Sequence, residues 1–207
     1  MTTTEFHLVR HGQPQDAERL LGRSDPPLTE LGWRQWQASC APLVWQHLYS
    51  SPLRRCADFG QQLARQHQRP LQFDERLQEL DFGHWDGQPL AQLWQRPEGD
   101  FEAYWQQPWQ QVPPAGETTA SLLQRTTGLL AELAERHQGE TVLLLTHSGV
   151  IRVLLSWLLS GQQQDNAHLS RVALGHAARL QIQVYIDEQG LHWPQLMGLF
   201  PAPTDHE

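Results

Sequence analysis

The sequence predicts an α/β protein: a three-layer αβα sandwich with a mostly parallel central sheet and a small helical lid insertion. Three observations carry that reading. Short, continuous apolar runs end at turn signals, as in residues 5–10 (EFHLVR) and Thr141–Thr146 (TVLLLT). That is the pattern of strands buried on both faces. Segments of helical periodicity lie between the strand candidates, and such alternation makes a sheet covered on both sides. The 207 residues, with 39% apolar side chains and nine Trp, suffice for one sizeable core and would be stretched by two. A single domain over residues 1–207 is therefore expected, with 88–114 as the lid.

Taken in order, residues 5–10 read as a first buried strand. Thr29, followed by Glu30 and with apolar side chains at Leu31, Trp36 and Leu43, opens a helix. His47–Ser50 and Leu71–Phe73 are short strand candidates on either side of a helix over 53–67. Residues 88–114, rich in Trp, Gln and Pro, break the alternation and predict short helices over the sheet's edge. The clearest helix covers 118–137, where Leu122, Leu123, Leu129, Leu130 and Leu133 recur at helical spacing and Gly139 follows as a stop. Thr141–Thr146 runs straight into a helix over 150–159, and Arg179–Ile186 is the last strand candidate. Gln162, Gln163 and Gln164 read as a surface loop.

Composition narrows the chemistry. A formal charge of −8 excludes a general nucleic-acid binder, which needs a basic face against phosphates. All fifteen basic residues are Arg. The absence of Lys removes P-loop nucleotide binding, Schiff-base chemistry and lysine-assisted serine nucleophiles. Arg remains, and its planar fork suits phosphate and carboxylate. Cys40 and Cys56 lack CxxC spacing and are expected as reduced thiols. Met1-Thr2-Thr3-Thr4-Glu5 has neither a basic start nor a long apolar stretch, and segment 150–159 is too short for a bilayer and carries Arg152. A soluble, cytoplasmic protein without a membrane partner is the expectation.

In parallel α/β sheets, ligands collect outside the carboxyl ends of the strands. Two strands here end in histidine followed closely by glycine: Arg10-His11-Gly12 and Thr146-His147-Ser148-Gly149. If those strands are parallel neighbours, His11 and His147 converge. A zinc hydrolase fits poorly: His7 and His11 are four apart, but HLVRH lacks the Glu of H-E-x-x-H, and Arg10 would repel a cation. His7 is left as a packing residue. A serine hydrolase fits no better, because Ser148 is not framed as Gly-x-Ser-x-Gly. Phosphoryl transfer to histidine asks for a neutral imidazole, cations around the phosphate and an acid for the leaving oxygen. Ser51-Pro52-Leu53-Arg54-Arg55 follows a short strand and opens a helix, so an Arg there can enter the same crevice, while Arg54 reads as solvated. Residues 77–87 (LQELDFGHWDG) offer Glu79 and Asp81 as acids, with His84 as a loop residue.

Arg10-His11-Gly12, Ser51-Pro52-Leu53-x-Arg55, Leu77-x-Glu79-x-x-x-Gly83-x-Trp85-x-Gly87 and His147-x-Gly149 occur in this order across almost the whole chain. Together they resemble the histidine phosphatase, or phosphoglycerate mutase-like, superfamily. Pro114-Ala115-Gly116-Glu117-Thr118 and the helical Arg125 resemble its P-G-G-E-S element. The resemblance implies His11 as the nucleophile that becomes phosphohistidine, Arg10 and Arg55 as clamps on the phosphoryl oxygens, and His147 as a donor to them. It implies Glu79, rather than Asp81, as proton donor and later base, with Gly12, Gln13, Gly22 and Ser148 against the substrate. No metal or cofactor is implied, and the partner is a small phosphorylated metabolite.

Pro14 and Ala17 stand where the family pattern has Thr and Asn, so part of the usual substrate shell is missing. The absence of long insertions favours hydrolysis over a mutase. Segments 19–33 and 79–94 look most like α-ribazole phosphatases, which dephosphorylate α-ribazole 5′-phosphate during assembly of cobalamin's lower ligand. Trp94, Trp105 and Trp109 could then form an aromatic wall for a benzimidazole ring, or simply pack the lid. The other readings are a broad-specificity sugar-phosphate phosphatase, a cofactor-dependent phosphoglycerate mutase and a non-catalytic phosphate-site binding protein.

Overall fold

The computed structural model describes residues 2–96, 99–160 and 171–203, so the expected loop at Gln162 to Gln164 lies outside the described residues. Six strands form one sheet: β1 (Thr3–Arg10), β2 (His47–Ser50), β3 (Leu71–Phe73), β4 (Thr141–Thr146), β5 (Arg179–Ile186) and β6 (His192–Phe200). Their order is β3-β2-β4-β1-β5-β6. β3, β2, β4 and β1 pair in parallel, and β5 is antiparallel to both β1 and β6. The helices are α1 (Glu30–Cys40), α2 (Arg54–His67), α3 (Leu90–Trp94), α4 (Asp100–Gln106), α5 (Thr119–Arg136) and α6 (Ser148–Ser160).

The apolar runs make sense once the two faces are seen. Val142 and Leu144 of β4, with Phe6 and Leu8 of β1, pack under Leu122, Leu129 and Leu133 of α5 and Leu154 of α6. Leu143 and Leu145, with Val9, pack against Trp36 of α1 and Phe59 and Leu63 of α2. A strand that buries both faces has no polar side to alternate with, hence TVLLLT. Each fully buried Leu or Val contributes roughly 1.5–3 kcal/mol of transfer free energy.

Helix ends follow local chemistry. Thr29 Oγ1 accepts from Gly32 N at 3.0 Å and Thr118 Oγ1 from Ser121 N at 3.0 Å, each satisfying an amide left orphaned by the first turn. α2 starts after Leu53, which has no acceptor side chain; Asp25 reaches across and takes the Arg54 amide at 2.6 Å. Arg54 itself is exposed and pairs with Asp58, as its solvated reading requires.

α1 stops at Cys40, short of Leu43, and β1 begins at Thr3. The strand that sequence patterning did not show is β6. It lies at the sheet's edge, carries Pro194 and Gly198, and shifts register opposite Gln181 and Ile182, so its burial never alternates cleanly. The segment expected as a lid holds α3 and α4, and Phe101 and Tyr104 of α4 pack edge-on to Trp85 at 5.3 and 5.7 Å between ring centroids. Among the described residues, no helix is long and apolar enough to cross a membrane.

Candidate active site

β1 and β4 are adjacent and parallel, with Arg10 opposite Thr146, so the next residue of each strand is a histidine at the same edge. The His11 amide donates to Thr146 O at 2.9 Å, and the His11 and His147 ring centroids are 5.3 Å apart. His11 Nδ1 lies 2.8 Å from Gly12 O. A carbonyl only accepts, so Nδ1 carries the proton and Nε2 the lone pair. Burial pushes the His11 pKa well below 6.5, and the Arg55 and Arg10 guanidiniums push the same way. The side chain is a neutral base at neutral pH.

His147 is set in the opposite tautomer. Arg55 Nε donates to its Nδ1 at 3.2 Å, so Nε2–H points to Ser51 Oγ at 2.8 Å. Burial first, then Arg55, keeps this ring neutral too. The fully buried Arg55 also donates to Ser24 O at 2.7 Å and Gly22 O at 2.8 Å. Asp86 fixes the loop that supplies those carbonyls, accepting from Gly22 N at 2.7 Å and Ser24 N at 2.6 Å.

The acid comes from a separate loop. The Glu79 carboxylate accepts from Gly149 N at 3.0 and 3.1 Å, Leu80 N at 3.0 Å and Ser148 Oγ at 3.2 Å. A Cβ at position 149 would collide with Glu79 Oε1, so glycine is what lets the carboxylate seat on the first turn of α6. Arg125 holds Glu117 through two bonds of 2.7 and 2.9 Å and donates to Gln78 O at 2.8 Å and Glu79 O at 3.0 Å. The Glu117 and Arg125 pair thereby locks the backbone that presents Glu79.

Between His11 and Glu79 lies a cavity of about 210 Å³. Arg10, His11, Glu79, Ser148, Arg152 and His176 are among its polar lining residues, and Leu20, Leu80, Phe82, Leu90, Trp105 and Pro108 among its apolar ones. The family model described as histidine phosphatase superfamily (branch 1) matches residues 6–192. The chain belongs to that superfamily.

The chain is similar to several known proteins. It is 34% identical over 160 residues to a bifunctional protein of Mycobacterium tuberculosis, matching 74% of this chain and 44% of that one; the chain thus spans less than half the length of that relative. It is 30% identical over 157 residues to phosphoserine phosphatase 1 of Hydrogenobacter thermophilus, covering 73% of this chain and 74% of the relative. Mycobacterial glucosyl-3-phosphoglycerate phosphatase superposes with a TM-score of 0.83 at 25% identity, over 97% of this chain and all (100%) of that one.

The site of this superfamily member differs in detail from the sequence-based expectation. Arg10, His11, Glu79 and Ser148 border the cavity, whereas Arg55 and His147 do not. Polar atoms of those two are engaged by protein groups. Gly12, Gln13 and Gly22, expected against the substrate, also lie off the cavity. A Cβ at Gly12 would meet the Gly32 carbonyl of α1, so that glycine serves helix packing rather than anion approach. Gln13 O accepts from the Thr29 amide and hydroxyl, and its own amide donates to Gln35. Gly22 supplies a carbonyl to Arg55.

Of the three tryptophans, Trp105 alone lines the cavity. Trp94 is exposed against Phe101, and Trp109 packs on the hydrophobic core. The aromatic wall is therefore Phe82, Tyr104 and Trp105, with Pro14 and Ala17 also at the rim of the space. Asp81 turns its carboxylate to Gly83 N at 2.8 Å, away from the acid's place. His7 is more than packing: it contacts Glu5 at 2.8 Å and Arg179 at 3.1 Å.

Sequence reasoning missed Arg152 and His176 as cavity residues. Arg152 follows Gly149 by three positions on α6, a spacing that puts both on one helix face. Among the described residues, the one grouping of metal-ligating side chains, His47, His137 and Glu140, sits at the opposite end of the sheet. Its two rings stack at 3.7 Å between centroids and 25° between planes, so their lone pairs cannot converge on one ion without a ring rotation.

Proposed function

We propose that this chain is a phosphomonoesterase working through a phosphohistidine on His11, with α-ribazole 5′-phosphate as its substrate. The observation that carries the first part is a histidine held neutral, with Nδ1 pinned on Gly12 O, facing a cavity that also holds a seated carboxyl group. His11 Nε2 attacks phosphorus, forming the P–N bond as the P–O bond to the leaving group breaks. Glu79, in its carboxylic acid form, gives its proton to the departing oxygen. A water molecule then loses a proton to the Glu79 carboxylate and attacks phosphorus. The P–N bond breaks, inorganic phosphate leaves, and His11 and Glu79 return to their starting states. Arg10 and the neighbouring guanidiniums supply the positive field in which the equatorial oxygens develop charge.

The named relatives, phosphoserine phosphatase and glucosyl-3-phosphoglycerate phosphatase, support hydrolysis of a small phosphate ester. The substrate assignment rests on the apolar lining. Phe82, Tyr104 and Trp105, with Leu80 and Leu90, favour a flat apolar body over a polyhydroxylated one. The test is a phosphate-ester panel holding α-ribazole 5′-phosphate, 3-phosphoglycerate, phosphoserine and fructose bisphosphates, with kcat/KM for each. The highest value is expected for α-ribazole 5′-phosphate; a higher value for a carboxylated or sugar ester overturns the substrate assignment and leaves the reaction class standing.

A further inference from the structure

The donors of the expected phosphoryl clamp are already bonded to protein groups in part. Both nitrogens of His147 are engaged, one by Arg55 and one by Ser51, and Arg55 Nη1 and Nη2 donate to the backbone carbonyls of Ser24 and Gly22. A trigonal-bipyramidal phosphoryl group presents three equatorial oxygens; Arg10 borders the cavity with its buried Nε unpartnered and can meet one of them, which leaves room for a further donor. His176 borders the cavity with its ring centroid 5.9 Å from that of His11, and neither ring nitrogen has a hydrogen-bond partner among the described residues.

The turn that presents this ring is tied to the nucleophile's own strand end. Arg10 N donates to Ala178 O at 2.9 Å, Ala177 N to His11 O at 3.1 Å, and Arg10 Nη1 to Leu174 O at 2.5 Å. Ala177 sits in the left-handed region at φ 57°, where a residue with a Cβ is strained. Ser39 Oγ holds that residue by donating to Ala177 O at 2.8 Å. Strain retained in a buried turn beside the nucleophile, and braced from three sides, fixes His176 relative to His11. Burial and then Arg10 lower the His176 pKa to about 4, so the ring is a neutral donor of one N–H at neutral pH.

We propose that His176 is a catalytic residue that donates its N–H to a non-bridging phosphoryl oxygen while phosphorus passes to and from His11. The proton stays on the imidazole throughout, and no bond to His176 forms or breaks. The inference rests on the phosphohistidine reading above, and the experiment separates the two. His176→Ala, His176→Phe and His176→Asn are compared with wild type and His11→Ala on p-nitrophenyl phosphate, with orthovanadate and inorganic phosphate as inhibitors and thermal melting as a check on folding.

Loss of the donor in His176→Ala and His176→Phe is expected to lower kcat/KM by about 10²-fold, the usual effect of deleting one preorganised donor. Vanadate, which mimics the transition state, should weaken by a similar factor and phosphate by much less. His176→Asn, whose amide keeps an N–H, should recover at least about tenfold of that loss. Activity and vanadate affinity within about twofold of wild type in both His176→Phe and His176→Ala would overturn the proposal. So would a loss shared equally by phosphate and vanadate. If His11→Ala kept its activity, the phosphohistidine reading itself would fall.

Discussion

At the carboxyl ends of β1 and β4, His11, His147 and His176 sit among Arg10, Arg55 and Arg152. At the amino ends of β2 and β4, His47 and His137 sit against Glu140, with His47 Nε2 2.7 Å from its carboxylate. Residue type is shared between the two ends, and the neighbours differ in sign. Guanidiniums reinforce what burial does to His11 and His147, keeping them neutral and basic in the chemical sense. At the far end, the hydrogen bond from His47 holds the Glu140 carboxyl below its ordinary range, and that carboxylate opposes the burial that lowers His137. One arrangement leaves a neutral imidazole beside a cavity, and the other a hydrogen bond that joins two strand starts.

The comparison can be broken most severely at His11. His11→Ala should lose at least about 10³-fold in kcat, as removal of a covalent nucleophile does, with the fold intact by circular dichroism. Turnover near wild type would mean that the cationic end does not use its histidine as proposed. Next comes the acid. Glu79→Gln should cost about 10²–10⁴-fold. Gly149→Ala should follow it in kcat with little change in KM, because the added Cβ displaces Glu79 Oε1. Both losses should be smaller for p-nitrophenyl phosphate than for an alkyl phosphate, whose leaving oxygen needs the proton more. A uniform loss across leaving groups would argue that Glu79 positions rather than protonates.

The pH dependence sharpens the same contrast. Only the neutral form of His11 attacks, so the acid limb of kcat/KM should lie below the ordinary histidine value of 6.5. Stability follows linked proton binding. His11 and His147 bind protons less readily folded than unfolded, so their contribution is present above about pH 6.5 and fades as the pH falls below it. The melting temperature should drop between about pH 7 and about pH 5, as followed by calorimetry. A limb at or above 6.5 would show that the guanidiniums do not hold His11 neutral.

The smallest effect belongs to the far end. Glu140→Gln removes the partner of an exposed pair, and it should leave kcat/KM unchanged and shift melting only slightly. A tenfold loss of activity there would couple the two ends of the sheet in a way their separation does not explain.

Much of this contrast was legible in the sequence, and the gaps have physical causes. The strand-end histidines, the helix-opening Arg55 and the buried TVLLLT run announce themselves through local pattern. His176 does not, because its place depends on the direction of β5. In a wholly parallel sheet, a residue just before a strand lies at the end away from the site. β5 runs antiparallel to β1, pairing Arg179 with Val9, so its start meets the end of β1 beside His11. Gly12 misled in another way: its missing Cβ answers to Gly32, twenty residues along the numbering and adjacent only after α1 has packed. β6 stayed hidden because an edge strand with Pro194 and a bulge has no periodicity to read.

The central claim is that phosphorus passes through a covalent bond to His11 before it reaches water. Each in-line displacement inverts the configuration at phosphorus, so two in sequence retain it. Hydrolysis of a phosphorothioate ester made chiral with oxygen isotopes, in isotopically labelled water, reads this directly. Net retention is the expected outcome, and net inversion would contradict the account by placing water, not His11, as the first nucleophile.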